Sequence, residues 1–215
     1  MLELVQSLAV WALPVLFAFT GHAMVMAHAA WRLGDRSEAM RERLSLNPLA
    51  HADPLGTLVV PGLLIALGGF VIGWPKPVPI EPRAFAHPRK ALATVSLAAL
   101  ASNIVMALAW AVLLKAAVMS QATEGVWVGV KLMAYAGVTI NLVFLLFGLL
   151  PIPGFAGGHV VGAILPPPLA ARWYASQNLV FVALLVLMVT GVLGQLLGGP
   201  LMALQGLVFG LVQIA

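Results

Sequence analysis

H-A-M-V-M-A-H-A-A-W-R-L-G-D, residues 22–35, closes an apolar run that begins near residue 4 and meets its first basic side chain at Arg32. About 20 apolar residues at 1.5 Å each suffice to cross the hydrocarbon core of a bilayer. The run 4–31 therefore reads as a transmembrane helix, and R-L-G-D as its exit. His22 lies ten residues before Arg32, roughly 15 Å along the helix from its polar end. A polar residue at that depth is a functional candidate by default, and the plainer account is a hydrogen bond between helices.

Working outward, further runs of spanning length cover 91–118, 127–150 and 177–195, and a shorter one closes the chain at 199–215. The run 54–74 is rich in helix breakers, with Pro54, Gly56, Pro61, Gly62, Gly68, Gly69 and Gly73. The expected fold class is an all-α polytopic membrane protein. It has five to six membrane-embedded helical segments in a single domain, 1–215, with short surface strands or loops at 32–53 and 75–90. Composition agrees: 62% of the 215 residues are hydrophobic, 8% are charged and mean hydropathy is +1.04, which excludes an ordinary water-soluble domain. No cysteine is present, so thiolate metal sites and disulfides are excluded. The net charge of +4 is assigned to cytoplasmic loops rather than to nucleic-acid binding. Met1 to Glu3 lacks the basic start of a cleaved leader, so none is expected.

Charge placement decides how 54–74 is read. If it crosses once, the basic residues split six against five: Arg32, Arg36, Arg41, Arg43, Lys115 and Lys131 against Lys76, Arg83, Arg89, Lys90 and Arg172. If it re-enters, all but Lys115 and Lys131 share one side, as the positive-inside rule requires. The segment therefore reads as a re-entrant or hairpin element packed on the bundle, with 32–53 and 75–90 cytoplasmic. Arg83, His87, Arg89 and Lys90 then either meet anionic head groups or serve as topology determinants.

The spacing around His22 invites comparison with H-E-x-x-H, in which two histidines one turn apart bind zinc and the glutamate is the base. His22 is followed by Ala23 in place of the base and by Met26 in place of the second ligand. His22 and Met26 share a face at i, i+4. That pair suits copper(I) better than zinc, and a His22, Met26 and His159 cluster is one route to a metal or haem site. The other route is that Met24 and Met26 are flexible apolar filler. His28 lies about 120° from the face of His22 and cannot join it on a regular helix. Asn47, His51 and Asp53 are sufficiently explained by turn chemistry beside Pro48 and Pro54. The six tryptophans, Trp11, Trp31, Trp74, Trp110, Trp127 and Trp173, fit interface anchoring.

Taken in order, several pieces form one signature: R-L-G-D at 32–35, L-S-L-N-P-L-A-H-A-D-P-L-G-T-L at 44–58 and G-W-P-K-P-V-P at 73–79. P-R-A-F-A-H-P-R at 82–89, S-N at 102–103 and L-L-P-I-P at 149–153 complete it. Over roughly residues 15–165 the chain resembles the site-2 protease family of intramembrane zinc metalloproteases, in its compact bacterial branch. The resemblance implies a zinc held by the two histidines of H-E-x-x-H and by the aspartate of a P-x-x-D-G turn, with the glutamate activating a water. The first ligand position falls on His22. The base position falls on Ala23, the second ligand on Met26 and the third on Ala156, followed by the expected Gly157. Asn103 and Asn141 fall near the implied substrate path. Ala99, Leu100 and Gly148 depart from the family pattern.

The sequence thus leads to a catalytically inactive, site-2-protease-like protein with no catalytic residues and no cofactor, located in the bacterial inner membrane. It is expected to bind or scaffold transmembrane partners, with an accessory subunit of a larger complex as one such role, through a groove marked by His22, Asn103 and Asn141. Two alternatives stand beside it: an active metalloendopeptidase with an unconventional zinc site, and a metal- or haem-binding membrane protein.

Overall fold

The computed structural model describes residues 2–45, 47–51, 53–59, 63, 76–121 and 124–214. The long apolar runs form α1 (Leu2–Leu33), α3 (Pro88–Met119) and α4 (Val126–Leu149). These lie within three residues of the expected bounds. α3 packs against both α1 and α4, which also touch each other. Small buried residues on α3 (Ala99, Ala107, Ala111) and on α4 (Ala134, Ala136) make this close approach possible. Glycine has the same effect at Gly137, where a Cβ would stand 2.3 Å from the Trp110 ring, and at Gly148, where it would stand 2.3 Å from Leu100.

Among the described residues four helices are long and apolar enough to cross a membrane: the α1 portion Ala9–Leu33, α3, α4 and α8 (Val192–Leu211). The bent pair α6 (Pro167–Ala175) and α7 (Gln177–Val189) makes a fifth candidate, with a bend of 48°. The chain is an all-α polytopic membrane protein. The C-terminal runs divide elsewhere than at 177–195 and 199–215. α7 stops at Val189, Gly191 adopts a left-handed φ of 76°, and α8 begins at Val192. Two short helices lie outside the expected membrane segments: α2 (Glu38–Glu42), capped by Ser37, and α5 (Ala156–Ile164).

The expected surface strands are corrected: among the described residues there is no strand. The stretch 38–51 forms α2 and a 3-10 turn at Pro48–His51, and 76–81 takes no regular structure, with the Lys76 N–H donating to the His51 carbonyl, before a second 3-10 turn at Pro82–Ala84. Proline makes backbone extended but removes the N–H that a ladder needs. The re-entrant reading of 54–74 falls mostly outside the described residues. Within them Pro54–Val59 forms a single π-type turn.

The R-L-G-D exit works as a clamp. Gly34 takes a φ of +124°, a backbone conformation costly for other residues. It turns the chain so that Asp35 is fully buried. Its two carboxylate oxygens accept from the Glu81 N–H (2.8 Å) and the Ser37 N–H (3.2 Å). The 76–87 segment is thereby tied to the end of α1 over a core of Ala27, Ala30, Met40, Phe85 and Val95. Burial pushes the Asp35 carboxyl up, yet the hydrogen bonds from Glu81 and Ser37 outweigh it and hold the group below its ordinary value. A carboxyl lowered by folding adds stability above its unfolded pKa of about 4 and loses it as pH falls through the lowered folded value. Asp35→Asn is therefore expected to cost about 1–3 kcal/mol near neutral pH. Thermal melts in detergent from pH 7 to pH 3 check this: the gap between wild type and variant should shrink as acid protonates Asp35.

Arg89 has a structural task. Its guanidinium donates to the Leu165 carbonyl at 2.6 Å and the Gly162 carbonyl at 3.3 Å, both at the C-terminal end of α5. A cation there satisfies carbonyls left open by the helix end and fixes α5 against the start of α3.

Candidate functional site

Three helices each turn one stripe toward a common cavity of about 300 Å³. α1 contributes Phe19, His22 and Met26, α3 contributes Ser96 and Leu100, and α4 contributes Phe144, Phe147 and Gly148. Spacings of three, four and seven place such residues on one helix face. The fourth wall is the turn into α5, with Gly154, Phe155 and Ala156. That turn is held by close backbone approach. A Cβ on Gly157 would stand 2.2 Å from the Leu149 carbonyl oxygen, and one on Gly158 would stand 1.8 Å from that of Ile152. The Gly158 carbonyl in turn accepts from the Trp173 indole at 3.0 Å.

His22 and Met26, paired in the sequence by their spacing, and Ala156, joined to them by the resemblance alone, thus line one cavity. Ala23 is fully buried beside it. Behind His22 runs a chain of hydrogen bonds. His22 Nδ1 pairs with Asn103 Oδ1 at 2.7 Å, Asn103 Nδ2 donates to Asn141 Oδ1 at 3.1 Å, and Asn141 Nδ2 donates to the Gly137 carbonyl at 2.8 Å. Both asparagines are fully buried. The direction of this chain is set at its far end. A carbonyl only accepts, so Asn141 presents its amide nitrogen to Gly137 and its oxygen to Asn103. Asn103 must then donate through nitrogen, and its oxygen accepts from His22. The proton on neutral His22 therefore sits on Nδ1, and Nε2 keeps its lone pair. Asn103 and Asn141 act behind the histidine rather than on the cavity wall.

The other histidines lie apart from this centre. His28 Nδ1 donates to the Met24 carbonyl of its own helix at 2.9 Å. His51 Nε2 donates to the Ser45 carbonyl at 2.8 Å, and His87 precedes α3 at the surface. His159 is not a cavity wall. Its Nδ1 pairs at 2.8 Å with the Oγ of Ser96, which does line the space.

Does this arrangement fit the zinc that the resemblance implies? Catalytic zinc takes three protein ligands from imidazole, thiolate or carboxylate and keeps a fourth position for water. The three positions here offer one imidazole nitrogen, one thioether and one methyl group. Among the described residues no group of three or more His, Asp or Glu side chains is placed to hold a metal ion. The donor set does not fit zinc. What does persist is the support behind the first ligand, since a metal-binding histidine characteristically donates its other ring N–H to an oxygen.

Sequence reasoning missed the aromatic walls and Ser96. Ser96 had a signal in its spacing, since Ser96, Leu100 and Asn103 share a face of α3, while nothing in the sequence set the phenylalanines apart.

No family model matches the chain, and no solved structure matches it. Curated relatives do. The chain is 33% identical over 178 residues to a Bacillus subtilis protein named "Putative zinc metalloprotease YwhC", covering 82% of this chain and 78% of that one. Rip2 of Mycolicibacterium smegmatis, under the same zinc metalloprotease description, is 32% identical over 189 residues, 87% of this chain and 68% of its own. Rip2 of Mycobacterium tuberculosis is 33% identical over 185 residues, 85% of this chain and 66% of its own. An α-helical membrane bundle with the ligand positions of one zinc centre gathered on one cavity defines a class, that of intramembrane metalloprotease scaffolds. This chain belongs to the site-2 protease family, as an integral protein of the bacterial inner membrane.

Proposed function

We propose that this chain is a non-catalytic member of its family, which holds a transmembrane helix of another protein against the α1, α3 and α4 cavity without cleaving it. The observation that carries the reading is the contrast within one cavity. Three carried-over ligand positions converge there, yet two of them bear an apolar side chain, while the hydrogen-bond support of the remaining histidine is complete. Hydrolysis of a peptide bond by this family's chemistry needs a polarising metal and a group to take the water's proton. Ala23 has no proton acceptor to offer. A cavity shaped between helices and lined by Phe19, Phe144, Phe147 and Phe155 keeps the apolar surface that a helix side chain fills. The protein then serves as an accessory or regulatory component of a membrane complex.

A photo-crosslinking amino acid at Phe147, compared with one at Val189 on the exposed side of α7, tests this in native membranes. Cross-linking from Phe147 alone to one transmembrane protein, mapped by mass spectrometry to a membrane segment and reproduced with both purified, is expected. Lipid adducts only, at both positions, would overturn it.

One observation favours a second reading, an active metalloendopeptidase with an unconventional site. His22 keeps the tautomer and backing hydrogen bond of a ligand histidine, and the relatives are named as zinc metalloproteases. That reading requires about one zinc per chain, bound through His22, and cleavage of a helical substrate. The metal- or haem-carrier reading gains no ligand set, because among the described residues no group of three or more His, Asp or Glu side chains is placed to hold a metal ion and His159 does not line the cavity.

A further inference from the structure

The hydrogen-bond chain behind His22 has a consequence for what the cavity accepts. Its direction leaves Nε2 as an acceptor, and among the described residues that atom has no hydrogen-bond partner. His22 lines the cavity and Asn103 does not, so the ring edge turned toward the cavity is the one carrying Nε2. The other polar side chain on the wall, Ser96, is already paired with His159. Around these two the walls are aromatic or aliphatic, with Phe19 and Phe144 stacked at 4.9 Å between ring centroids. Nε2 opens on the cavity rather than being sealed in protein, so an apolar occupant would bury it unpaired at a cost, and one that brings a donor would not.

We propose that the occupant is an aromatic hydroxyl, the side chain of a tyrosine on the bound helix, which donates its O–H to His22 Nε2 while its ring packs among Phe19, Phe144, Phe147 and Phe155. This rests on the reading of the cavity as a helix-binding site and names the residue it receives. A cavity of about 300 Å³ is ample for a phenol ring and its packing partners. Ring against ring adds a preference for an aromatic occupant over an aliphatic alcohol. A cation such as lysine has no carboxylate to meet on these walls. A carboxylate would meet the lone pair of Nε2 and be repelled.

The test uses the full-length protein in detergent with its histidines labelled with 15N, and p-cresol and p-xylene as probes. p-Cresol is the tyrosine side chain itself, and p-xylene matches its shape without the hydroxyl. p-Cresol is expected to move the His22 Nε2 resonance saturably and to bind about 10-fold more tightly than p-xylene, the size of one neutral hydrogen bond. In His22→Phe the preference should fall to about 1-fold. Because that variant can misfold, 4-methylanisole on the wild type supplies an independent check. It has the ring and the oxygen but no proton to give, and should bind like p-xylene. Equal binding of p-cresol and p-xylene, or 4-methylanisole binding as tightly as p-cresol, would overturn the inference. If Phe147 still cross-links to a transmembrane segment in that case, helix binding survives and only the tyrosine assignment fails. If p-cresol is preferred while Phe147 cross-links to lipid alone, the helix reading falls, and the tyrosine with it.

Discussion

A chain carrying Met26→His and Ala156→Asp together is expected to bind about one zinc per molecule where neither single variant does. The two positions and His22 line the same cavity, and His22 already has Nε2 free and Nδ1 held by Asn103. Restoring the second imidazole and the carboxylate would give a two-histidine, one-carboxylate set with room for a water, the composition of a catalytic zinc site. Each single variant supplies only two ligands. Zinc retained through a mild chelator wash, measured by elemental mass spectrometry on the three proteins, checks this. A zinc-dependent rise in melting temperature confined to the double variant would accompany it, since a ligand that binds the folded state stabilises it by mass action. Adding Ala23→Glu restores a candidate base, and the pair of experiments separates loss of metal from loss of proton transfer.

Gly158→Ala is expected to be among the most damaging single substitutions in the molecule, despite adding one methyl group. The added Cβ would meet the Ile152 carbonyl oxygen at 1.8 Å. That oxygen is backbone and cannot swing aside. Relief requires α5 to move off the 149–153 turn, which displaces Ala156 from the cavity wall and strains the Trp173 hydrogen bond to the Gly158 carbonyl. Overpacking of this kind costs typically 1–3 kcal/mol and occasionally more. Gly206→Ala on α8 is the matched control, because a Cβ there meets nothing within 4 Å. In that helix alanine is favoured over glycine by up to about 1 kcal/mol. Melting temperatures of the two variants should therefore move in opposite directions. A Gly158→Ala protein as stable as the wild type would show that α5 does not seat where the cavity requires.

Much of the fold was legible because membrane helices announce themselves by length and hydropathy. α1, α3 and α4 fall within three residues of their expected limits. Two features were not. Gly191 breaks the C-terminal runs, but glycine is common inside membrane helices, so its left-handed turn carries no mark in composition. The proline-rich 76–81 stretch, expected within surface strands or loops, is a loop, since proline lacks the N–H that a strand ladder needs.

The site was legible only in its polar members. His22, Asn103 and Asn141 stand out in apolar helices because a buried polar group needs a partner. The structure joins them in one chain ending on Gly137. Ala156 was reached through the resemblance and not through its own chemistry, since a methyl group has none. The phenylalanine walls were invisible for a related reason. An apolar residue facing a cavity looks the same in sequence as one facing lipid, and only the packing of three helices tells them apart.

On the reading proposed above, the cavity gathers the three ligand positions that the resemblance implies but keeps a zinc ligand only at His22. Metal content of the purified wild-type chain, measured by elemental mass spectrometry after a mild chelator wash and beside a His22→Ala control, tests it most directly. Zinc and copper far below one per chain in both proteins is the predicted result. About one metal per chain in the wild type, lost in His22→Ala, would contradict it.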